Sequence, residues 1–388
     1  MRKLIICLTA LYVSVSMFAQ EEELHRRESL ASVQNASVQT ASAKGFFLAY
    51  DVGYMTTMDN REYDRTDLDI SRTVFAAGLG GGIGVGKTVG NSSHRLMGGV
   101  SALFSFGGDL KARPLIWYQL NTKLKNSDFQ IIGGCFSRSK VEGYYSQLLF
   151  SEVNIINDNS FEGFQFSWKA PQFYYELGVD WKGQLRSGSP QTREQFTVYS
   201  AGRHNILPDQ PLTVGYAGYM HHYANNYEMT ANNVVDDIIL YPYVEYDFGR
   251  SVGVQRALAR LGYYQAVQRD RAVDHSLLTP AKGQVYLELR NWNVGFINDF
   301  LFGADLMPYY GKTGPEGKVY DDNSLYFGNP IMSRNANGKG FALYDRVSVY
   351  YEPKLLDKLL LRFRIDCHFN GGFAGWQQII ELKYKFGN

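Results

Sequence analysis

Residues 359–386 read LLLRFRIDCHFNGGFAGWQQIIELKYKF, and the alternation in this stretch decides the fold. Leu359, Leu361, Phe363, Ile365, Cys367 and Phe369 share one side of a two-residue period, with Arg362, Arg364, Asp366, His368 and Asn370 on the other. That is a strand period, not a helix period. Asn370-Gly371-Gly372 supplies a turn, after which Gln378, Ile380, Leu382, Tyr384 and Phe386 oppose Glu381, Lys383 and Lys385. One face of each strand needs water and the other an apolar partner. A soluble sandwich puts the charges outside; a transmembrane barrel turns them into its lumen and gives the apolar face to lipid.

The rest of the chain favours the barrel. Its 388 residues suit two or three soluble domains or one large β-barrel. Aromatics make up 15%, with 28 Tyr and 24 Phe, and there are 39 Gly, the composition that interface girdles and closely packed strands require. A net charge of +1 gives no global field for nucleic acid. Arg2 and Lys3, an apolar run over 4–18 and Ala19 before Gln20 make residues 1–19 an export signal. Residues 20–44 are polar and read as a flexible periplasmic leader, leaving 45–388 as the barrel. The mature chain keeps Cys135 and Cys367, small apolar side chains on strand-like segments.

The same two-faced pattern recurs. Phe164, Phe166 and Trp168 oppose Gln165, Ser167 and Lys169, and Phe173, Tyr175, Leu177, Val179 and Trp181 oppose Glu176, Asp180 and Lys182. Counting gives about sixteen strands, an even number as single-chain bacterial barrels have. Connections alternate in length: 58–72, 139–160, 185–194, 225–236, 268–282 and 307–340 are long, while 88–93, 126–128, 170–172 and 291–293 are tight. Two connections on the long side, 107–111 and 370–375, are short. Long extracellular loops over short periplasmic turns are the asymmetry of a closed antiparallel transmembrane β-barrel, and a Greek-key sandwich has no reason to produce it.

With its signal ending Phe18-Ala19-Gln20, its amphipathic hairpins over 45–386, and Tyr384 and Phe386 two apart in the last strand, the chain resembles the porin-like outer-membrane β-barrel proteins of Gram-negative bacteria. The resemblance implies an outer-membrane location and terminal-strand aromatics read by the barrel-assembly machinery. Gly387-Asn388 after Phe386 departs from the family's terminal aromatic.

Candidate site residues follow from the faces. Arg256, Arg260, Glu288, Arg290, Arg362, Arg364, Asp366, Glu381 and Lys383 fall on inward positions and line the expected pore. Such rings of charge bias a channel toward anionic or polyhydroxylated solutes. Tyr264, Tyr286 and Trp292 are candidates for sugar stacking or for the interfacial girdle. Leu148, Leu149 and Phe150 make the 139–160 loop too apolar for a wet surface, so it either folds inward as a constriction or forms an extra pair of strands. The expected function is a passive channel for small polar or anionic solutes; the alternative is a non-conducting barrel that binds partners through loops 139–160 and 307–340. In a wet lumen Arg364 tolerates Ala.

No catalytic residue, metal or cofactor is expected. Gly81 to Thr88 imitates a phosphate loop by spacing, but a turn and another strand follow where a helix is required. Asp274-His275-Ser276 is a tripeptide, not a triad geometry. His221 and His222 point to opposite faces of a strand, and Asp64, Asp67 and Asp69 with Asn60 lack the rest of a calcium loop.

Overall fold

The computed structural model describes residues 45–184, 193–206, 211–225, 234–271, 276–311, 326–338, 340–356 and 358–387. The signal segment 1–19, the leader 20–44, and Asp274 and His275 lie outside these residues.

In lipid every backbone N–H and C=O must find a partner within the protein, so a spanning sheet has to close. Closure occurs where β1 (Phe46–Tyr63) pairs with both β2 (Arg72–Val89) and β17 (Phe373–Gly387), setting Val52 opposite Phe386 and Tyr54 opposite Tyr384. Between them run β3 (Ser92–Ser105), β4 (Leu110–Lys123), β5 (Asp128–Ser137), β6 (Ser160–Lys169), β7 (Phe173–Gly183), β8 (Arg193–Asn205) and β9 (Leu212–Asn225). They are followed by β10 (Val234–Asp247), β11 (Arg256–Asp270), β12 (Ala281–Asn291), β13 (Val294–Gly303), β14 (Ala342–Tyr351), β15 (Lys354–Leu356) and β16 (Leu359–Asn370). All 17 belong to one antiparallel sheet. β15 has only 3 residues, and β14 pairs past it with β16, which leaves sixteen strands long enough to cross.

One boundary differs from the sequence reading. β1 is 18 residues long and continues to Tyr63, through residues 59–63 that read as a charged loop. The charges belong to the strand because they neutralise one another on its inner face: Arg61 Nη2 lies 2.9 Å from Asp59 Oδ2, both buried. The first-loop acids are likewise taken by arginines, Asp69 by Arg61 at 3.4 Å and Asp67 by Arg65 at 2.9 Å. The imitation phosphate loop lies inside β2. A Cβ on Gly84 would sit 2.0 Å from the Leu96 carbonyl oxygen, so glycine here permits close approach of the β2 and β3 backbones.

The faces sort as the alternation requires. Ile83, Ile116, Leu261 and Leu289 stand exposed on the outer wall, while Asp180, Asp237, Asp299 and Asp366 are buried inside. Water does not explain that inner burial. A single apolar cluster runs through the interior, joining Ala49 of β1, Trp117 of β4, Phe136 of β5, Tyr219 of β9, Tyr264 of β11 and Tyr344 of β14. At its centre are Leu148, Leu149 and Phe150, from the connection between β5 and β6. That connection folds inward as a 3-10 turn (Arg138–Lys140) and a short helix (Glu152–Asn157), not as an extra pair of strands.

Ile365 occupies the lipid-facing side halfway along β16. Ile365→Arg is expected to destabilise the barrel by about 2 to 4 kcal/mol, as for an arginine at the bilayer midplane. Equilibrium unfolding in micelles measures the loss, and wild-type stability in the variant would place Ile365 away from lipid.

Candidate functional site

Two regions carry chemistry, the plugged lumen and one rim of the outer wall. In the lumen the nine charges expected to line a pore come together as a ladder of ion pairs. Arg260 Nε donates to Glu245 at 2.8 Å, and Arg256 Nε lies 3.0 Å from Glu288. Glu352, in the turn after β14, meets Arg290 at 3.1 Å and accepts from Arg362 Nε at 2.7 Å, which bridges strands the sequence left unconnected. Glu381 pairs with Lys383 at 2.7 Å and with Arg362 at 3.7 Å. Arg364 is held between Asp366 at 3.1 Å and Glu152 of the plug helix at 2.7 Å.

The plug engages the wall around its circumference. Glu142 N, Gly143 N and Tyr145 Oη all donate to the Glu176 carboxylate of β7. Tyr144 lies under the Arg260 guanidinium, 4.1 Å from ring centroid to Cζ, and Tyr264 Oη donates to Ser146 at 2.9 Å. Lys140 pairs with Asp51 of β1, and Arg138 with Asp158 at 2.6 Å and Asp180 at 2.5 Å. Burial holds the Lys140 ammonium below its ordinary range despite Asp51, and pushes the Tyr145 hydroxyl well up, with Glu176 adding to the shift. The aromatic candidates are absorbed by this packing: Tyr264 stacks on Tyr241 at 4.2 Å, and Tyr286 lies 4.9 Å from Arg260. Trp292 stays exposed in the two-residue turn before β13, at φ 51°.

The second region was not legible from single strands. The register aligns Trp181, Phe196, His222, Asp236 and Arg269 in one row across β7 to β11. Their chain neighbours Asp180, Thr197, His221, Asp237 and Gln268 are all buried inside, so the row faces outward. It lies within a few residues of the strand ends that carry the long connections, the extracellular rim. Trp181 stacks on Phe196 at 5.1 Å, and Phe196 lies 5.0 Å from the His222 ring. His222 Nδ1 is 3.0 Å from Asp236 Oδ1, and its Nε2 is 4.0 Å from Glu194. Arg269 and Arg271 both reach Asp236 Oδ2, at 3.1 and 3.0 Å. The two arginines are 29% and 42% exposed, leaving donors to spare. Asp236 and Arg269 sit on the apolar parity of their strands, and that break in pattern is the signal a sequence reading could have used.

Three of the other described imidazoles meet hydroxyls inside or at the girdle. His221 faces Thr197 Oγ1 at 3.0 Å, His368 faces Tyr344 Oη at 2.6 Å, and His94 faces Tyr118 Oη at 2.5 Å. None of these hydroxyls belongs to a serine. Among the described residues no group of three or more His, Cys, Asp or Glu is arranged to hold a metal.

A closed barrel with an aliphatic outer wall, an aromatic girdle and long loops at one end is an outer-membrane β-barrel protein of porin-like architecture. Residues 38–238, more than half of the chain, match the family described as lipid A 3'-O-deacylase-type, and the chain belongs to that family. No curated protein matches it. Among solved structures it is similar to a loop-deletion mutant of OmpT, an outer membrane protein of Vibrio cholerae, at 14% identity and TM-score 0.50, covering 88% of this chain and 99% of that one. It also matches OprD of Pseudomonas aeruginosa at 12% identity and TM-score 0.46, covering 90% and 96%. At these identities the likeness to the OmpT mutant is one of fold.

The ion pairs reverse the expectation for Arg364. It is only 8% exposed and holds both Glu152 and the buried Asp366. Arg364→Ala is expected to cost about 3 kcal/mol, because the buried Asp366 loses the nearer of its two cations and keeps only Arg346 at 3.9 Å. Thermal unfolding in micelles measures this, and an unchanged midpoint would mean that the pair is solvated.

Proposed function

We propose that this protein is a barrel closed to passive diffusion in its resting state, and that it engages lipid A in the outer leaflet through the row Trp181, Phe196, His222, Asp236 and Arg269. The observation that carries the reading is the row itself. Lipid chains offer nothing to solvate an imidazole, two carboxylates and two guanidiniums, so an outward cluster of this kind at the rim calls for polar headgroups. Partly exposed guanidiniums suit phosphate, to which they donate bidentately, and a tryptophan beside them suits the headgroup level. The family's description supplies the lipid. The lumen argues against the passive channel as the resting function, since its ladder of charges is internally paired and the plug, hydrogen-bonded to residues 326–338, packs into the space those charges line.

A second reading, hydrolysis of an ester-linked acyl chain, is favoured by the His222–Asp236 contact, because a carboxylate on Nδ1 orients an imidazole as a base. The outward neighbours of His222 by register and alternation are Met220, Ala224, Phe196, Glu194 and Asp236. None brings a hydroxyl, so hydrolysis would take water directly. Asp236 is shared with Arg269 and Arg271 and is not held by the imidazole alone, which weights the balance toward binding.

Native mass spectrometry of the folded barrel with dispersed lipid A tests both readings. Binding is expected for the wild type and at least tenfold weaker for the double variant Arg269→Ala/Arg271→Ala, with Lys87→Ala at the opposite rim unchanged. Equal binding by the double variant would sink the proposal. Lipid A lighter by one acyl chain, in a reaction lost in His222→Ala, would replace binding by hydrolysis.

A further inference from the structure

We infer that the plug, residues 138–158, is a separable gate, and that its displacement turns the barrel into a charge-lined pore for ions and small polar solutes. The inference is independent of the lipid A reading, since it concerns the inner face alone.

The argument starts from what the wall keeps when the plug leaves. Arg364 loses Glu152 but retains Asp366 at 3.1 Å. Arg260 loses the Tyr144 ring but retains Glu245 at 2.8 Å and the rings of Tyr243 and Tyr286 at 5.0 and 4.9 Å. Glu176 loses three plug donors but retains Gln165 Nε2 at 2.7 Å and Tyr174 Oη at 2.5 Å. Asp180 loses Arg138 but retains Lys182 at 3.0 Å and the Glu162 backbone N–H at 2.9 Å. A fixed core element would leave such groups orphaned at large cost. Here the wall carries its own second partner for each of these four, while Asp51, the partner of Lys140, has a side chain that keeps 18% exposure, and the rest of the ladder, from Arg256–Glu288 to Arg290–Glu352 and Arg362–Glu381, pairs without the plug.

The two sides of the lumen also differ in what the plug leaves behind. Toward β2 to β5 the inner wall is apolar, with Ala76, Met97, Leu103, Leu115, Trp117 and Ile132, and it receives the plug by packing; Ile156 contacts Ala76 and Leu103. Toward β11 to β17 the wall is ionic. An opened lumen therefore has one dry and one wet flank, and conduction follows the ladder. Three contacts hold the plug against that wet flank, Glu152 on Arg364, Tyr144 on Arg260 and Ser146 on Tyr264, and the first two act as its latch.

Planar-bilayer recording tests the gate. The wild type is expected to be mostly silent, and Glu152→Gln/Tyr144→Leu to raise open probability at least tenfold while keeping the heat-dependent gel mobility of a folded barrel. A barrel in which residues 141–157 are replaced by a short Gly/Ser linker is expected to conduct continuously. If the linker barrel folds and conducts while the latch variant stays silent, the plug is a fixed stopper and the gate is overturned. If the linker barrel fails to fold, or folds and does not conduct, the segment is a core element and the inference also falls.

Discussion

The structure depends on one constraint: a chain in lipid must pair every backbone polar group with its own. Pairing of β1 with β17 meets that constraint by closing the sheet, and closure leaves function only side-chain faces and connections to work with. Each face is then governed by what it meets. Hydrocarbon admits aliphatic and aromatic residues and confines charge to the rims, where the His222 row sits. The inner face, where Arg260, Arg364 and Asp366 are buried, carries its charge in pairs.

Much of this was legible in the residues, and what was not has an identifiable physical cause. The alternation of Leu359 to Phe369 against Arg362 to Asn370 requires a strand with two unlike environments, and repetition along the chain with asymmetric connections makes it a barrel. The end of β1 was misread because Asp59 and Arg61 look like loop residues until they are seen to neutralise each other. Leu148-Leu149-Phe150 signalled that its loop could not lie in water, but periodicity cannot separate a plug from an added hairpin in so short a run. The His222 row was hidden because its members come from five strands. Alternation says which face a residue takes, and only register says which residues stand side by side. Arg269 was further obscured by lying in what reads as the loop after β11.

The inner charges pose a problem that stability alone does not answer. Burying an ion pair costs desolvation that its attraction barely repays, and well-packed apolar residues of similar size are often as stable or more so, by about 1 to 4 kcal/mol. The plug shows that an apolar filling is available to this barrel, since Leu148, Leu149, Phe150 and Val153 are buried inside it. If the lumen were permanently filled, the same solution would serve on the side of Arg260, Arg290, Arg346, Arg362 and Arg364. That side instead carries guanidiniums matched to wall carboxylates, an arrangement that suits both a dry interior and a wet one. An apolar wall there would pay hydration cost each time water entered, and unpaired charges would be untenable each time it left. Paired charge on the wall is the composition that a lumen alternating between the two states requires.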